Sequence, residues 1–233
     1  MKYKKIVAGR FLERPNRFIA HVEIDGKEEV CHVKNTGRCR ELLKKGCRVY
    51  LEESDNPNRK TKYDLIAVEK GALLINMDSN APNRVVEEWL HSPECMIFHG
   101  EKQIFIKPEC KYGNSRFDFY IEAGNRKIFM EVKGVTLEER GIVKFPDAPS
   151  ERAVKHIEEL MMAIKDGYEA YVMFVIQMKG ADYFMPNAAT HERFCDALRE
   201  AAEKGVNILA YDCQVTENSL KLDKPVSVCL KKV

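Results

Sequence analysis

Asp118, Glu131 and Lys133 lie in the stretch Asn114–Lys133, NSRFDFYIEAGNRKIFMEVK, and they are residue types that can hold a divalent cation and steer a water molecule. Gly124–Asn125 is a favoured two-residue hairpin turn, and its flanks are rich in Phe, Ile, Tyr and Val. With those residues as the turn, one face stacks Phe117/Val132, Phe119/Met130 and Ile121/Ile128, which is wholly apolar and is expected to be the core side. The other face carries Glu122/Lys127, Tyr120/Phe129, Asp118/Glu131 and Arg116/Lys133. This register predicts two opposed carboxylates with Cβ atoms about 5 Å apart, and Lys133 beside them. Like charges set opposite one another destabilise a sheet, and a bound cation reverses that cost. Carboxylate oxygens with water completing the shell suit Mg²⁺ or Mn²⁺ working on phosphates, while Lys133 would orient or help deprotonate the attacking water. The bland alternative is a set of diagonal salt bridges, each worth about 0–1 kcal/mol on an exposed sheet. A longer turn would shift the register and part the two acids.

Asp118 followed by Glu131-Val132-Lys133 on the next strand resembles the PD-(D/E)xK nuclease motif. Further words stand in order around it: Asn35-Thr36-Gly37-Arg38, Tyr112-Gly113-Asn114-Ser115-Arg116-Phe117-Asp118-Phe119, Phe145-Pro146-Asp147-Ala148 and Lys155-His156. Together they resemble the sugar fermentation stimulation protein A family over essentially the whole chain. The resemblance implies a two-domain α+β or α/β architecture, with an OB-fold-like β-barrel over residues 1–80 and a PD-(D/E)xK restriction-endonuclease-like α/β domain over 81–233. It implies DNA binding with little base selectivity and a regulatory part in sugar, notably maltose, utilisation. The second reading is a metal-dependent endonuclease or exonuclease acting on DNA or RNA. There Asp118, Glu131 and the Val132 carbonyl would hold Mg²⁺ or Mn²⁺, Glu109 would assist, and Lys133 would orient water.

The 233 residues suffice for one large domain or two small ones, and 45% hydrophobic with 32% charged residues is ordinary for a globular chain. No apolar run is long enough to span a membrane, and the leading MKYKKIVAGRF lacks the apolar stretch of a signal peptide. Eight cysteines without a C-x-x-C pair suggest reduced thiols and a cytoplasmic protein. The net charge of +2 hides an asymmetry: residues 1–85 hold 18 Lys and Arg against 12 Asp and Glu, and the remainder is acidic. A basic N-terminal part suits a polyanion such as nucleic acid; a solvated surface is the plain alternative. The subunit count is not legible.

Alternating hydrophobicity predicts strands at about 4–11, 17–24, 28–34, 46–52, 62–69 and 72–76, which suit a small closed barrel of the OB type. Thr36 would cap a short helix within Asn35–Lys45 that carries Leu42 and Leu43. Arg14, Asn16, Arg17, His32, Asn35, Thr36, Gly37 and Arg38 collect near strand ends, where they would track a phosphate backbone while Phe11 and Phe18 stack bases. Residues 78–83 mark a break. A helix over about 83–91 bears Glu87, a candidate for approaching the metal or for matching the helix dipole. A short strand Gln103–Lys107 precedes Glu109, and the hairpin is followed by a long loop, Gly134–Pro149, whose Lys144 and Asp147 would reach over the site. Ser150 starts a helix with Arg152, His156 and Glu159 on one side; His156, like Lys155 and Arg116, would meet phosphate, or it pairs with Glu159. Residues 169–177 read as a buried strand closed by Gln177, a further candidate because related nucleases often place a Gln there. A loop to Thr190, a helix over 190–204 and strands at Val206–Val215 and Val226–Leu230 complete the chain. The order of helix, three strands, helix, strand, helix is that of the PD-(D/E)xK core.

Overall fold

The computed structural model of the protein describes residues 1–35, 37–101 and 103–231. Five strands close the N-terminal barrel: β1 (Lys5–Glu13), β2 (Ile19–Ile24), β3 (Lys27–Val33), β4 (Arg48–Glu53) and β5 (Tyr63–Lys70). The sheet runs β3-β2-β1-β4-β5, and a parallel β3–β5 pairing shuts it, so the barrel has no open edge at this seam. Asp25 and Gly26 both have positive φ, as the tight β2–β3 turn requires. β6 (Leu73–Asn76) pairs with β5 and leads out of the barrel. The helix expected in Asn35–Lys45 does not form among the described residues. Leu42 and Leu43 are buried on a single turn closed by Leu43 N–H donating to Cys39 O at 2.9 Å, because the loop carbonyls are claimed by Arg14, as described below. Thr36, the proposed cap, lies outside the described residues.

After α1 (Ala81–Leu90) and a single 3-10 turn, Met96–Phe98, come β7 (Ile104–Tyr112), β8 (Ser115–Ala123) and β9 (Arg126–Val135). Two short strands, β10 (Leu137–Glu139) and β11 (Ile142–Phe145), occupy the stretch read from sequence as a loop. They are followed by α2 (Glu151–Lys165), β12 (Glu169–Ile176), β13 (Tyr183–Pro186), α3 (Ala188–Glu203), β14 (Asn207–Thr216), β15 (Ser219–Pro225) and β16 (Ser227–Val228). The main sheet of this second, α/β domain has the order β15-β14-β12-β9-β8-β7, and β10-β11-β13-β16 form a small separate sheet. α1 packs on one face of the main sheet and α2 on the other.

The two domains share a hydrophobic cluster in which Tyr50, Ile66 and Ala67 from the barrel meet Val85 and Trp89 of α1 and Phe119, Met130 and Val132 of the main sheet. A polar clip stands beside it: buried Gln177 donates to Asn76 Oδ1 at 2.9 Å and to Asp78 O at 3.0 Å. The first residues add a third tie, with Tyr3 N donating to Asn218 O at 2.8 Å and Leu220 N to Met1 O at 3.1 Å.

The hairpin turn is as expected, with Gly124 at φ 58 and five ladder pairs running from Ala123↔Arg126 to Phe119↔Met130. Beyond that pair the expected register fails. β8 stays in step with β7 down to Tyr112↔Ser115 but leaves β9 at Asp118. Phe117 does not stack with Phe119 as simple alternation predicts. It packs on Phe129, ring centroids 5.3 Å apart, and edge-on to His156 of α2. Both faces of the hairpin are therefore covered, and the acids are not on an open sheet surface.

Candidate functional site

Asp118 sits in the fork where β8 departs from β9. Val132 N–H, which the departing strand leaves without a main-chain partner, donates to Asp118 Oδ2 at 2.7 Å, and Asn83 Nδ2 from the first turn of α1 donates to Oδ1 at 2.7 Å. The carboxylate thus wedges the fork and ties it to α1. Burial pushes the Asp118 carboxyl up to about 6, and the neighbouring Glu131 charge adds to the rise, against the Val132 and Asn83 hydrogen bonds and the Lys133 charge.

Glu131 is 2% exposed, on the side of β9 that faces α2. Its Oε1 receives Nδ1 of His156 at 2.5 Å and the ammonium of Lys133. Burial works against the Glu131 charge, yet the bond from His156 and the Lys133 charge outweigh it and hold the carboxyl below its usual range. Glu131 Oε2 has no hydrogen-bond partner among the described residues and is closed to solvent. Such an oxygen is costly unless a cation or an ordered water completes it. One acid is thus held ionised and its neighbour is held back from ionising, so the pair is short of positive charge.

On the barrel, Arg14, Asn16, Arg17, Gly37, Arg38 and Arg40 line a hollow of about 330 Å³. The Arg14 guanidinium is spent on the fold, donating to the carbonyls of Arg17, Asn35, Gly37 and Arg38 at 2.6–2.9 Å. Asn16 Oδ1 accepts from Phe18 N–H and Ile19 N–H, and Asn35 bridges Gly37 N–H to Met77 O. These three residues shape the loop. The exposed side chains of Arg17, Arg38 and Arg40 have no partner among the described residues, and Phe18 beside them is 53% exposed. Phe11, proposed as a stacking platform, is buried and not available for one. His32 is held by Asp64 at 2.9 Å in a network with Arg59 and Lys34. That network depresses the Asp64 carboxyl to about 2, Arg59, His32 and Lys34 overcoming the burial that acts the other way.

Comparison with known proteins divides the chain at the same place. Residues 12–77 match the model described as the SfsA N-terminal OB domain, and residues 80–219 match the sugar fermentation stimulation protein RE domain. Curated sugar fermentation stimulation protein homologs from Ruminiclostridium cellulolyticum and Desulfitobacterium hafniense are 59% and 61% identical over 230 residues, covering 99% of this chain and 99–100% of theirs. The chain belongs to the sugar fermentation stimulation protein family. A solved relative, Pyrococcus furiosus SfsA in complex with Ca²⁺, superposes with a TM-score of 0.83 at 28% identity, over 98% of this chain and 97% of that one.

In this family member several expected site residues stand elsewhere. Glu109 has φ 56 and ion-pairs with Arg116 at 2.6 Å, both side chains exposed. Among the described residues no three His, Cys, Asp or Glu side chains gather into a cluster able to hold a metal ion, so Glu109 does not complete a three-acid set. Glu87 points outward from α1; Asn83, one turn earlier, is the helix residue that reaches Asp118. Gln177 is consumed by the interdomain clip. Asp147 and Lys144 do not cap the acids but line, with Asn35, Gly37, Gly134 and Gln177, a cleft of about 180 Å³ between the domains. Lys155 donates to Asn114 O at 3.0 Å. His156 pairs with Glu131 and not with Glu159. Asn83 and the His156–Glu131 bond escaped sequence reasoning because each joins elements that only the sheet packing brings together. All eight cysteines are unpaired, and no helix of the described residues is long and apolar enough to cross a membrane.

Proposed function

We propose that this protein is a divalent-metal-dependent phosphodiesterase that cleaves nucleic acid, with the OB domain holding the polymer backbone with little base selectivity. The observation that carries the reading is the unpartnered, buried Glu131 Oε2 beside an Asp118 whose carboxyl is held up to about 6. This is a donor set that a hard cation would complete. The element order α1, β7 to β9, α2, β12, α3 supports assignment to the PD-(D/E)xK nucleases. The Ca²⁺ complex of the Pyrococcus furiosus relative supports cation binding on this fold.

Asp118, Glu131 and the Val132 carbonyl would hold Mg²⁺ or Mn²⁺, which when bound neutralises phosphate charge and acidifies water. Lys133, paired with Glu131 in this structure, would position the attacking water and offset charge on the phosphate. Arg17, Arg38 and Arg40 meet phosphates and Phe18 stacks a base. Gly37 borders both the arginine hollow and the interdomain cleft, and Gly134 in that cleft follows Lys133 directly. A regulatory part in sugar, notably maltose, use rests on family membership alone, since no residue described above recognises a sugar.

The test is purified protein with labelled single- and double-stranded DNA and RNA, in Mg²⁺, Mn²⁺ or chelator. Cleavage is expected with metal only, and Glu131→Ala and Lys133→Ala should each lower it at least about 100-fold while nucleic acid is still bound. Unchanged cleavage in both variants would overturn the assignment. Salt-sensitive binding without cleavage in any metal would leave the protein a binding module alone.

A further inference from the structure

We propose that His156, locked by Arg152 as the tautomer carrying its proton on Nδ1, is a positioning residue that fixes how Glu131 meets a cation; this rests on the phosphodiesterase reading. Arg152 and His156 lie one turn apart on α2, and Arg152 Nε is 3.4 Å from His156 Nε2. A guanidinium has only donors to offer, so Nε2 must accept. A ring that accepts at Nε2 carries its proton on Nδ1, which stands 2.5 Å from Glu131 Oε1. The ring is buried and held edge-on to Phe117, centroids 6.2 Å apart, so it has little room to turn.

The consequence falls on Glu131. With Oε1 taken by His156 and Lys133, Oε2 is the oxygen left for a ligand. When Lys133 turns to substrate, His156 alone keeps the carboxylate from rotating. Partners of this kind behind a metal ligand are typically worth about 10–100-fold in metal affinity.

Two measurements on the full chain test this. In chelator, long-range ¹H–¹⁵N NMR of histidine-labelled protein should show His156 protonated on Nδ1 and bare on Nε2, with that preference lost in Arg152→Ala. Calorimetric titration with Mn²⁺ and Ca²⁺ should show binding to the wild type and none to Glu131→Gln. His156→Ala should bind about 10–100-fold more weakly. His156→Asn, whose amide N–H falls near the Nδ1 position, should recover most of the loss. Melting curves in chelator establish that each variant is folded. An Nε2-protonated or mixed ring in the wild type overturns the proposal. So does a His156→Ala protein that binds Mn²⁺ as tightly as the wild type while Glu131→Gln does not. A wild type that binds neither cation overturns the phosphodiesterase reading, and the positioning role with it.

Discussion

At the scale of single residues, Asp118 is the side chain with most at stake. Its folded-state carboxyl titrates near 6 against an ordinary value of 3.8, because burial and Glu131 disfavour its charge. The native state therefore keeps a proton that the unfolded chain has already lost, and stability falls as pH rises from about 4 to about 6. That shift corresponds to about 3 kcal/mol. In Asp118→Asn one of the two acceptor oxygens is lost, at about 1 kcal/mol, so the variant in chelator should be about 2 kcal/mol more stable than the wild type above pH 6. Below about pH 4 the order should reverse, the variant being about 1 kcal/mol the less stable, and urea midpoints taken across pH 3.5–8 check the sign. Asp118, Glu131 and Lys133 were legible in the sequence because all three lie within one hairpin. Asn83, Arg152 and the structural use of Arg14 were not, since their roles are contacts across long stretches of chain.

At the scale of elements, the turn at Gly124–Asn125 and the alternation around it sufficed for five pairs of the hairpin register. The departure at Asp118 was hidden because alternation assumes that a strand keeps both neighbours. β10, β11 and β13 escaped because they are three or four residues long: β10 and β11 form a small hairpin, and β13 finds its place only through tertiary pairing, Ile142↔Tyr183 through Phe145↔Pro186. β7 was read as ending before Pro108, yet it runs on to Tyr112; Pro108 is tolerated on this edge strand of the sheet. Gly134, near the end of β9, tests how tightly α1 and the interdomain clip close on the site strand. A Cβ there would lie 2.6 Å from Gln177 Oε1 and 2.8 Å from Pro82 Cγ. Gly134→Ala should therefore cost about 1–3 kcal/mol in urea unfolding. A cost below about 0.5 kcal/mol would show that the clip yields freely.

At the scale of the whole molecule, the basic surplus of residues 1–85 acts through a few side chains, since Arg14 is occupied and Arg59 and Lys34 are paired with Asp64. Arg17, Arg38 and Arg40 carry the prediction: replacing all three by Ala should weaken DNA binding across sequences alike. The slope of log affinity against log salt should flatten by about 2–3, as fluorescence anisotropy at several salt concentrations would report. An unchanged slope would move the polymer to another face. The pairing of residues 1–3 with 218–220 has its own consequence for biosynthesis. Residues 1–3 leave the ribosome long before the strand that seats them. A nascent chain halted before Leu220 would carry a closed barrel with these residues untethered, and protease should clip them until translation resumes.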